Sequence, residues 1–333
     1  MKKSAIFFIL AIIVVAIVVG VVISKHHSTS TSAAPAVIHI GYFGTTCEAP
    51  LFAAYENGFW KDEGLNVELV KGDSNTLKDA LATGKVDATD GLLMQWIKAI
   101  EQGLDVKFTA GIHTGCIQIL IGKKTQAKTL KDLKGKIIGV PTIGGGPMNL
   151  ISRVLANNGI NPKTDVTWKA FPPAELELAL DKGEINVIGI PDPLAQIIVD
   201  KGKAWSILNS ATTKPYDKEY CCLIVQNGKL VREHPEIAAA ITRGWMRGAK
   251  WVSDHPAEAG RLEVEKKYVP GNPVLNGKIL AKYNYIPSVA GGLRALALAT
   301  EESKKAGILE ASTDPAALAK NSFVKLPNVP EIQ

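Results

Sequence analysis

The sequence carries no strong excess of either charge. Lysine and arginine number 38 against 32 aspartates and glutamates, which gives a formal net charge of +6 in 333 residues. Lys2, Lys3 and Lys25 supply half of this excess, and all three flank an apolar amino-terminal segment. The other charges are scattered, whereas a nucleic-acid-binding surface needs clustered basic residues. We therefore expect no nucleic-acid partner.

The chain also lacks the residue combinations that mark common enzymes. The spacing of its polar residues suggests no nucleophile–base pair and no pair of catalytic carboxylates. It has only four cysteines, at positions 47, 116, 221 and 222, and they form no CxxC metal motif. We therefore expect a protein that binds a ligand and releases it unchanged, and not an enzyme.

The twenty residues Ala5–Ser24 contain no charged side chain. Their length matches a membrane-spanning helix and exceeds the core of a signal peptide, which is roughly 7–15 apolar residues. Lys2 and Lys3 favour a cytoplasmic amino terminus, and no cysteine directly follows the segment to accept a lipid. We predict an uncleaved membrane anchor over residues 1–25 and a linker over residues 26–36. The folded part would then be extracytoplasmic and tethered to the cell membrane. The alternative is a signal peptide cleaved at the Ala-Pro-Ala run of this linker.

Two stretches of alternating strands and helices follow, and they repeat one another at a spacing of about 100 residues. Gly41, after the first strand, corresponds to Gly139 in the second stretch. This βαβαβ alternation predicts an α/β fold with a mostly parallel sheet in each repeat, flanked by helices. We predict two lobes, one formed by residues 37–122 and 215–333 and the other by residues 123–214.

Four stretches carry a family resemblance: GYFGTTCEAPLFAAYENGFWKDEGLNVELV, LATGKVDATDG, LKDLKGKIIGVPTIGGGPMNLISRVLANNGI and GEINVIGIPDP. Through them the chain resembles the solute-binding proteins of ABC importers, in the branch that takes nitrate, sulfonates, taurine and pyrimidine precursors. It also resembles the thiamine-pyrimidine synthase family. The resemblance implies the type II periplasmic-binding-protein fold, whose two lobes close on a ligand about a hinge. We expect a monomer that delivers a small-molecule solute to an ABC permease and its ATPase.

In this fold a ligand lies at the loops that follow the carboxyl ends of the strands. One of these loops, rich in glycine, precedes a helix whose amino terminus suits an anion. The alternative is that the threonines in these loops only cap helices and the glycines only turn the chain. The predicted ligand-binding residues are Thr45, Thr46, Cys47, Thr89, Asp90, His113, Thr114, Cys116, Gly144, Gly145, Gly146, Met148 and Asp192.

The chain departs from this family in its cysteines. Cys47 and Cys116 fall on two of the loops, and Cys221 and Cys222 begin a strand that returns to the first lobe. One interpretation is a Cys47–Cys116 disulfide, or burial of the thiols as small apolar groups. The other is a thiolate cluster, with His113, that binds a transition metal or an iron–sulfur unit. Because neighbours on a strand face opposite ways, only one of Cys221 and Cys222 can join such a cluster, and the other should pack in the core.

Two questions stay open at this level. One relative of this fold makes the thiamine pyrimidine and carries a cysteine-rich run, of which the adjacent cysteines are a faint echo, so an enzyme is an alternative. The solute is also undetermined, because a sulfonate, nitrate, a pyrimidine and a metal complex are all compatible with these loops.

Overall fold

The computed structural model describes residues 37–331, in which ten strands form two five-stranded sheets. The predicted anchor at residues 1–25 and the linker at residues 26–36 lie outside the described residues. Among the helices of the described part, none combines the length and the apolar character that a bilayer crossing requires.

The first sheet lies in the lobe that begins the described chain. Its strands are β1 (Val37–Tyr42), β2 (Asn66–Lys71), β3 (Ala88–Leu92), β4 (Val106–Thr114) and β10 (Tyr220–Asn227). Their order across the sheet is β2-β1-β3-β10-β4, in which β10 runs antiparallel to both of its neighbours and β1 is parallel to β2 and β3.

The second sheet repeats this arrangement. Its strands are β5 (Ile117–Gly122), β6 (Ile137–Val140), β7 (Thr167–Ala170), β8 (Val187–Pro191) and β9 (Ala204–Asn209). The order is β7-β6-β8-β5-β9, with β5 antiparallel to its neighbours and β6 parallel to β7 and β8. The predicted two-lobe α/β architecture, with a mostly parallel sheet in each lobe, agrees with this topology.

The predicted lobe boundary after residue 122 is wrong by one strand. The segment Ile117–Gly122 pairs with β8 and β9, so it belongs to the second sheet and the chain changes lobes between β4 and β5. The local sequence could not show this, because β4 and β5 follow each other as one nearly continuous apolar run. The return lies between β9 and β10, an interval that includes the predicted boundary at residue 215.

Helices cover the sheets and form the carboxyl-terminal part of the first lobe. They are α1 (Ala49–Glu56), α2 (Phe59–Asp62), α3 (Ser74–Ala82), α4 (Ile97–Glu101), α5 (Gly146–Asn157), α6 (Leu176–Asp181), α7 (Leu194–Asp200), α8 (Gly228–Glu233), α9 (Pro235–Asp254), α10 (Pro256–Glu265), α11 (Pro273–Leu280), α12 (Val289–Lys305) and α13 (Pro315–Ser322). Trp60 fixes α9 to the first lobe, because its indole N–H donates to the Ile241 carbonyl at 2.9 Å and its ring meets Trp245 edge-on. Both indoles are fully buried, so they hold α9 in one position.

An ion-pair cluster joins the two lobes near the segments in which the chain passes from one lobe to the other. Arg153 of α5 donates two hydrogen bonds to the Glu219 carboxylate, at 2.5 and 2.8 Å, and a third to Glu302 of α12 at 3.3 Å. The guanidinium is almost completely buried, and both carboxylates compensate its charge. This cluster fixes how α5 of the second lobe sits against the first lobe.

Candidate ligand-binding site

A cavity of about 820 Å³ lies between the lobes. Its wall is built from the loops after β1, β2 and β3 and from the equivalent loops after β6, β7 and β8. Ligands of open α/β sheets bind at this end of the strands, and small-molecule sites usually measure about 300–1,000 Å³. The predicted residues that reach the wall are Thr45, Cys47, Asp90, Gly145, Gly146, Asp192 and Cys222.

The other predicted residues do not line this cavity. They are Thr46, Thr89, His113, Thr114, Cys116, Gly144, Met148 and Cys221. Thr89 is fully buried and donates its hydroxyl to the Gly41 carbonyl at 2.9 Å, which ties β3 to β1. The Gly144 N–H points at the Met148 sulfur at 3.1 Å. Thr89 and Met148 therefore contact neighbouring backbone groups and do not line the cavity.

Glu48, which the sequence reasoning did not select, organises the first loop. Its buried carboxylate accepts hydrogen bonds from the backbone N–H groups of Phe43, Gly44 and Thr45, each at 2.7 Å. Burial, with a smaller effect of the neighbouring Cys47, raises the pKa of Glu48 to about 7 in spite of these donors. The loop after β1 is therefore held rigid around a carboxyl group that faces the cavity.

Asp90 presents a buried carboxyl group without a protein partner. It lies within β3, its side chain is fully buried, and neither carboxyl oxygen has a hydrogen-bond partner among residues 37–331. Burial first, and then repulsion by Glu48 and Cys47, raise the pKa of Asp90 well above its ordinary value. An unsatisfied buried carboxyl group costs free energy, so this position favours a ligand that supplies a hydrogen-bond donor.

Asp192 differs from Asp90, because its carboxylate is already satisfied. Gln118 of β5 donates to it at 2.9 Å and the Tyr283 hydroxyl donates at 2.8 Å from the other lobe. The backbone N–H of Thr46 also donates to the Asp192 carbonyl at 3.3 Å. Burial raises the pKa of Asp192 to about 6. Asp192 therefore connects the two lobes at the edge of the cavity, in addition to lining it.

Three thiols meet at the base of the cavity. The sulfur atoms of Cys47, Cys116 and Cys222 lie within 4.8 Å of one another, and all three side chains are buried. None of the four cysteines is in a disulfide in the described structure, so the Cys47–Cys116 bridge is not formed there. Of the adjacent pair, Cys222 lines the cavity and Cys221 does not.

The expectation that only one of Cys221 and Cys222 can approach the thiol cluster is wrong, because the sulfur atoms of both lie near that of Cys116. Cys221 is only half-buried, lines a separate cavity of about 200 Å³, and its sulfur is 2.9 Å from that of Cys116. The register of β10 against β4 shifts between Tyr220 and Cys222, which marks a β-bulge at Cys221. A bulge breaks the alternation of side chains along a strand, so both neighbouring thiols can approach Cys116.

His113 lies beside these thiols, stacked against Tyr283 and Tyr285 at ring distances of 5.7 and 5.1 Å. The imidazole is fully buried, and its Nε2 has no hydrogen-bond partner in the described part of the chain. Burial has the largest single effect on His113 and lowers its pKa, but the interactions with Cys47, Cys221 and the Thr114 backbone together raise the pKa above its ordinary value. The histidine and the thiol therefore form one polar cluster beneath the cavity.

The charge of the cavity wall is predominantly acidic. Within the described residues, the wall includes Glu48, Asp73, Asp90 and Asp192 but a single lysine, Lys71. An inorganic anion would need more positive charge than this wall supplies. The wall therefore suits a neutral or cationic ligand better than an anion.

The sequence profile of the NMT1-like family matches residues 31–264, which is more than half of the chain. The chain belongs to the NMT1-like family. The predicted resemblance to nitrate- and sulfonate-binding proteins and to thiamine-pyrimidine synthases is confirmed by the individual relatives of this NMT1-like protein.

The nitrate/nitrite binding protein NrtA of Nostoc is 25% identical over 230 residues, covering 62% of this chain and 48% of its own length. The NMT1-like chain thus spans about half of that relative. The 4-amino-5-hydroxymethyl-2-methylpyrimidine phosphate synthase of Aspergillus parasiticus is 23% identical over 291 residues, covering 82% of this chain and 83% of its own. The alkanesulfonate-binding protein SsuA of Xanthomonas axonopodis pv. citri superposes with a TM-score of 0.73 at 19% identity, over 88% of this chain and 100% of its own. This likeness shows that the NMT1-like protein has the periplasmic-binding-protein fold.

Two of the acidic residues that sequence reasoning missed in this NMT1-like protein had a local signal. Thr45 and Glu48 have the spacing of a capping box, Ser/Thr-x-x-Glu, and Asp73 stands where a helix cap is expected, accepting from the N–H groups of Asn75 and Thr76. Phe171, which follows β7 and lines the cavity, has no such signal, because only the tertiary fold brings β7 to this edge.

Replacing Glu48 with glutamine should flatten the pH dependence of stability. Glu48 has a pKa of about 7 in the folded chain, whereas a glutamate in an unfolded chain has a pKa of about 4.3. The folded protein therefore keeps a proton that the unfolded chain releases, so the wild-type free energy of unfolding falls as pH rises between these values. Relative to Glu48→Gln, the wild type should lose about 2–3 kcal/mol between about pH 5 and about pH 7, measured by chemical denaturation.

The matched control for this experiment is Glu68→Gln, on an exposed position of β2. This substitution should leave the free energy of unfolding with the same pH dependence as in the wild type. A wild-type minus Glu48→Gln difference that stays constant over the range would contradict the buried, proton-retaining state of Glu48.

Proposed function

We propose that this chain is the extracytoplasmic solute-binding component of an ABC importer, tethered to the membrane by its amino-terminal segment. It captures one small-molecule solute between its lobes and presents it to a permease and an ATPase. The proposal is supported by membership of the NMT1-like family, by the similarity to NrtA and by a cavity whose wall comes from both lobes. Closure of the lobes would bury a solute in that cavity.

The solute we propose is a flat heterocycle that carries amino groups, of the aminopyrimidine class. The observation that carries this choice is Asp90, a residue of the cavity wall whose buried carboxyl oxygens have no donor among the described residues. An exocyclic amino group or a protonated ring nitrogen supplies the missing hydrogen bond. Phe43 of the first lobe and Phe171 of the second also line the cavity, and aromatic rings favour offset stacking on a planar ligand.

Nitrate and sulfonates fit this wall less well. Each is an anion, and the carboxyl groups of Glu48, Asp90 and Asp192 would surround it with Lys71 as the nearby cation. Burial already raises the pKa of each of these carboxyl groups, and an ionised carboxylate beside a bound anion would be unfavourable in a site of low dielectric constant. The similarity to NrtA therefore supports the carrier role, whereas the residues of the wall support the proposal of a different solute class.

A carrier is distinguished from an enzyme by the fate of the solute. The similarity to a pyrimidine phosphate synthase makes catalysis the second candidate, and the thiol–histidine cluster is the feature that favours it. A carrier binds one equivalent and releases it unchanged. Mass spectrometry of the solute recovered after incubation with the full-length protein decides between the two.

Thermal unfolding of the full-length chain with three probes tests the solute class. We expect 4-amino-2-methylpyrimidine to raise the Tm by several degrees when its concentration is far above Kd, because a ligand at about 100 times its Kd adds about 2.7 kcal/mol of stability. Nitrate and taurine at the same concentration should leave the Tm unchanged. A Tm shift with nitrate or taurine, and none with the pyrimidine, would overturn the proposed solute class while leaving the carrier role in place.

A further inference from the structure

Three thiols from distant parts of the chain converge at one point. Cys47 lies on the loop after β1, Cys116 lies at the crossing between β4 and β5, and Cys222 lies on β10. Their sulfur atoms all fall within 4.8 Å of one another, and the Cys116 and Cys222 sulfurs are 4.0 Å apart. Each side chain is at most 3% exposed.

The surroundings of these thiols are unlike an apolar core. The imidazole of His113 contacts the cluster through Cys47, and its buried Nε2 lacks a partner among the described residues. The buried residues Glu48 and Asp90, like Cys47 and Cys222, belong to the cavity wall. A buried group of this polarity is costly unless something satisfies it, and this unpartnered imidazole nitrogen is a second, independent sign of a ligand.

We propose that Cys47, Cys116 and Cys222 bind a Zn²⁺ ion through three thiolates. Thiolate sulfur is a preferred ligand of zinc, and three cysteines with one further ligand form a known type of zinc site. Two Zn–S bonds of about 2.3 Å at a tetrahedral angle place the sulfurs about 3.8 Å apart, close to the 4.0 Å between Cys116 and Cys222. Only small rotations of the cysteine side chains would bring all three sulfur atoms to this separation.

The charge of the region favours a divalent ion. Three thiolates carry three negative charges next to Glu48 and Asp90, and Zn²⁺ neutralises two of them where a monovalent ion neutralises one. Thiols that are protonated in the metal-free protein release their protons to solvent when zinc binds. Cys47 and Cys222 line the cavity, so two of the three ligands are reached from it. Zinc binding can be measured without any solute, so its failure is distinguishable from a failure of the proposed solute role.

Zinc content of the full-length, fully reduced chain tests the proposal. The protein is purified with a phosphine reductant, because the Cys116 and Cys221 sulfurs are 2.9 Å apart and air could join them. It is then equilibrated with Zn²⁺ and a competing chelator. We expect one zinc per chain, and a loss of affinity of at least about 100-fold in Cys47→Ser, Cys116→Ser and Cys222→Ser, since even outer-shell changes typically cost 10–100-fold.

Cys221→Ser is the matched control, because it makes the same chemical change at the next residue and removes no member of the proposed ligand set. It should keep one zinc per chain and lose less affinity than any of the three ligand variants, because Cys221 contacts Cys116 but supplies no ligand of its own. Equal zinc affinity in all four variants, loss of zinc only in Cys221→Ser, or iron with labile sulfide in place of zinc would each overturn the proposal.

A measurement on the wild type covers the case in which a serine variant does not fold. Co²⁺ substituted for zinc gives sulfur-to-metal charge-transfer absorption whose intensity rises with the number of thiolate ligands. We expect an intensity typical of three thiolates and a tetrahedral d–d spectrum, both removed by added Zn²⁺. An octahedral cobalt spectrum without charge-transfer bands would overturn the thiolate site without any variant.

Discussion

Replacing Gly146 with valine should abolish solute binding while both lobes stay folded. Gly146 begins α5 of the second lobe, and a Cβ atom placed there would lie 2.5 Å from the Cβ and Cδ1 atoms of Leu92, the last residue of β3 in the first lobe. Real Cβ atoms do not approach so closely, so a side chain at this position must push the lobes apart. The contact joins residues of different lobes at the cleft.

The expected size of this effect is a loss of affinity of at least about 100-fold, because a solute held by both walls loses half of its contacts when the cleft opens. Titration calorimetry measures the affinity, and small-angle scattering measures the accompanying increase in the radius of gyration. Asn149 of α5 donates to the Met94 carbonyl at 2.9 Å across the same interface, and this bond should break as well.

Gly144→Ala is the control for a general effect of the glycine loop. Gly144 has a φ of +73° and nothing within 4 Å of an added Cβ atom. Alanine in this left-handed conformation costs about 1–2 kcal/mol of stability but does not touch the first lobe. It should therefore lower the Tm and leave the affinity within a few-fold of the wild type. Tight binding by Gly146→Val, with wild-type scattering, would show that the loop is only a turn.

Replacing Asp90 with asparagine should stabilise the free protein and weaken the binding of an amino-bearing solute. Burial and repulsion by Glu48 raise the pKa of Asp90 well above its ordinary value, so the ionised form of this carboxyl group is unfavourable in the folded, solute-free protein. Asparagine carries no charge, and the free energy of unfolding should rise by about 1–3 kcal/mol at neutral pH. The gain should shrink as pH falls toward about 4, where the carboxyl group is protonated in both states.

The affinity should change in the opposite direction. A hydrogen bond from the solute to a carboxylate contributes about 1.5–3 kcal/mol, so its loss weakens binding by about 10–150-fold. Chemical denaturation of the solute-free protein and titration of the aminopyrimidine measure the two effects separately. A variant that binds as tightly as the wild type would remove Asp90 from the proposed site, whatever its stability.

Asp73→Asn makes the same substitution in the same cavity wall and serves as the control. The Asp73 carboxylate is already used, because it accepts from the N–H groups of Asn75 and Thr76 at the start of α3 and its pKa is lowered by these bonds. Its neutralisation should reduce stability by a few tenths of a kcal/mol to about 1 kcal/mol. Asp90→Asn should thus raise the free energy of unfolding, whereas Asp73→Asn should lower it.

Local patterns predicted the architecture because they are set by neighbours in the chain. The alternation of strands and helices and the correspondence of Gly41 with Gly139 predicted two similar lobes, and both sheets have the same strand order. The loops after the strands predicted where the cavity lies, since the carboxyl ends of parallel strands share one edge. The cysteines on two of these loops and on the returning strand likewise predicted that thiols could meet.

Local sequence patterns could not show to which lobe a strand belongs. Ile117–Gly122 reads as an apolar strand in either lobe, and only its pairing with β8 and β9 assigns it to the second. Cys221 was misjudged for a related reason, because a β-bulge depends on the register between β10 and β4 and not on the residues of β10 alone.

Local sequence patterns were therefore enough to predict the strands and helices, their repetition and the edge of the sheets at which a ligand would lie. Which of the candidate side chains already have hydrogen-bond partners depends on the tertiary structure. Asp90 and Asp192 look alike along the chain, yet Gln118 and Tyr283 satisfy Asp192 from 74 and 91 residues away, while the described chain supplies Asp90 with no side-chain donor. The physical reason is that a buried polar group is defined by its partners, and those partners come from contacts that only the folded chain makes.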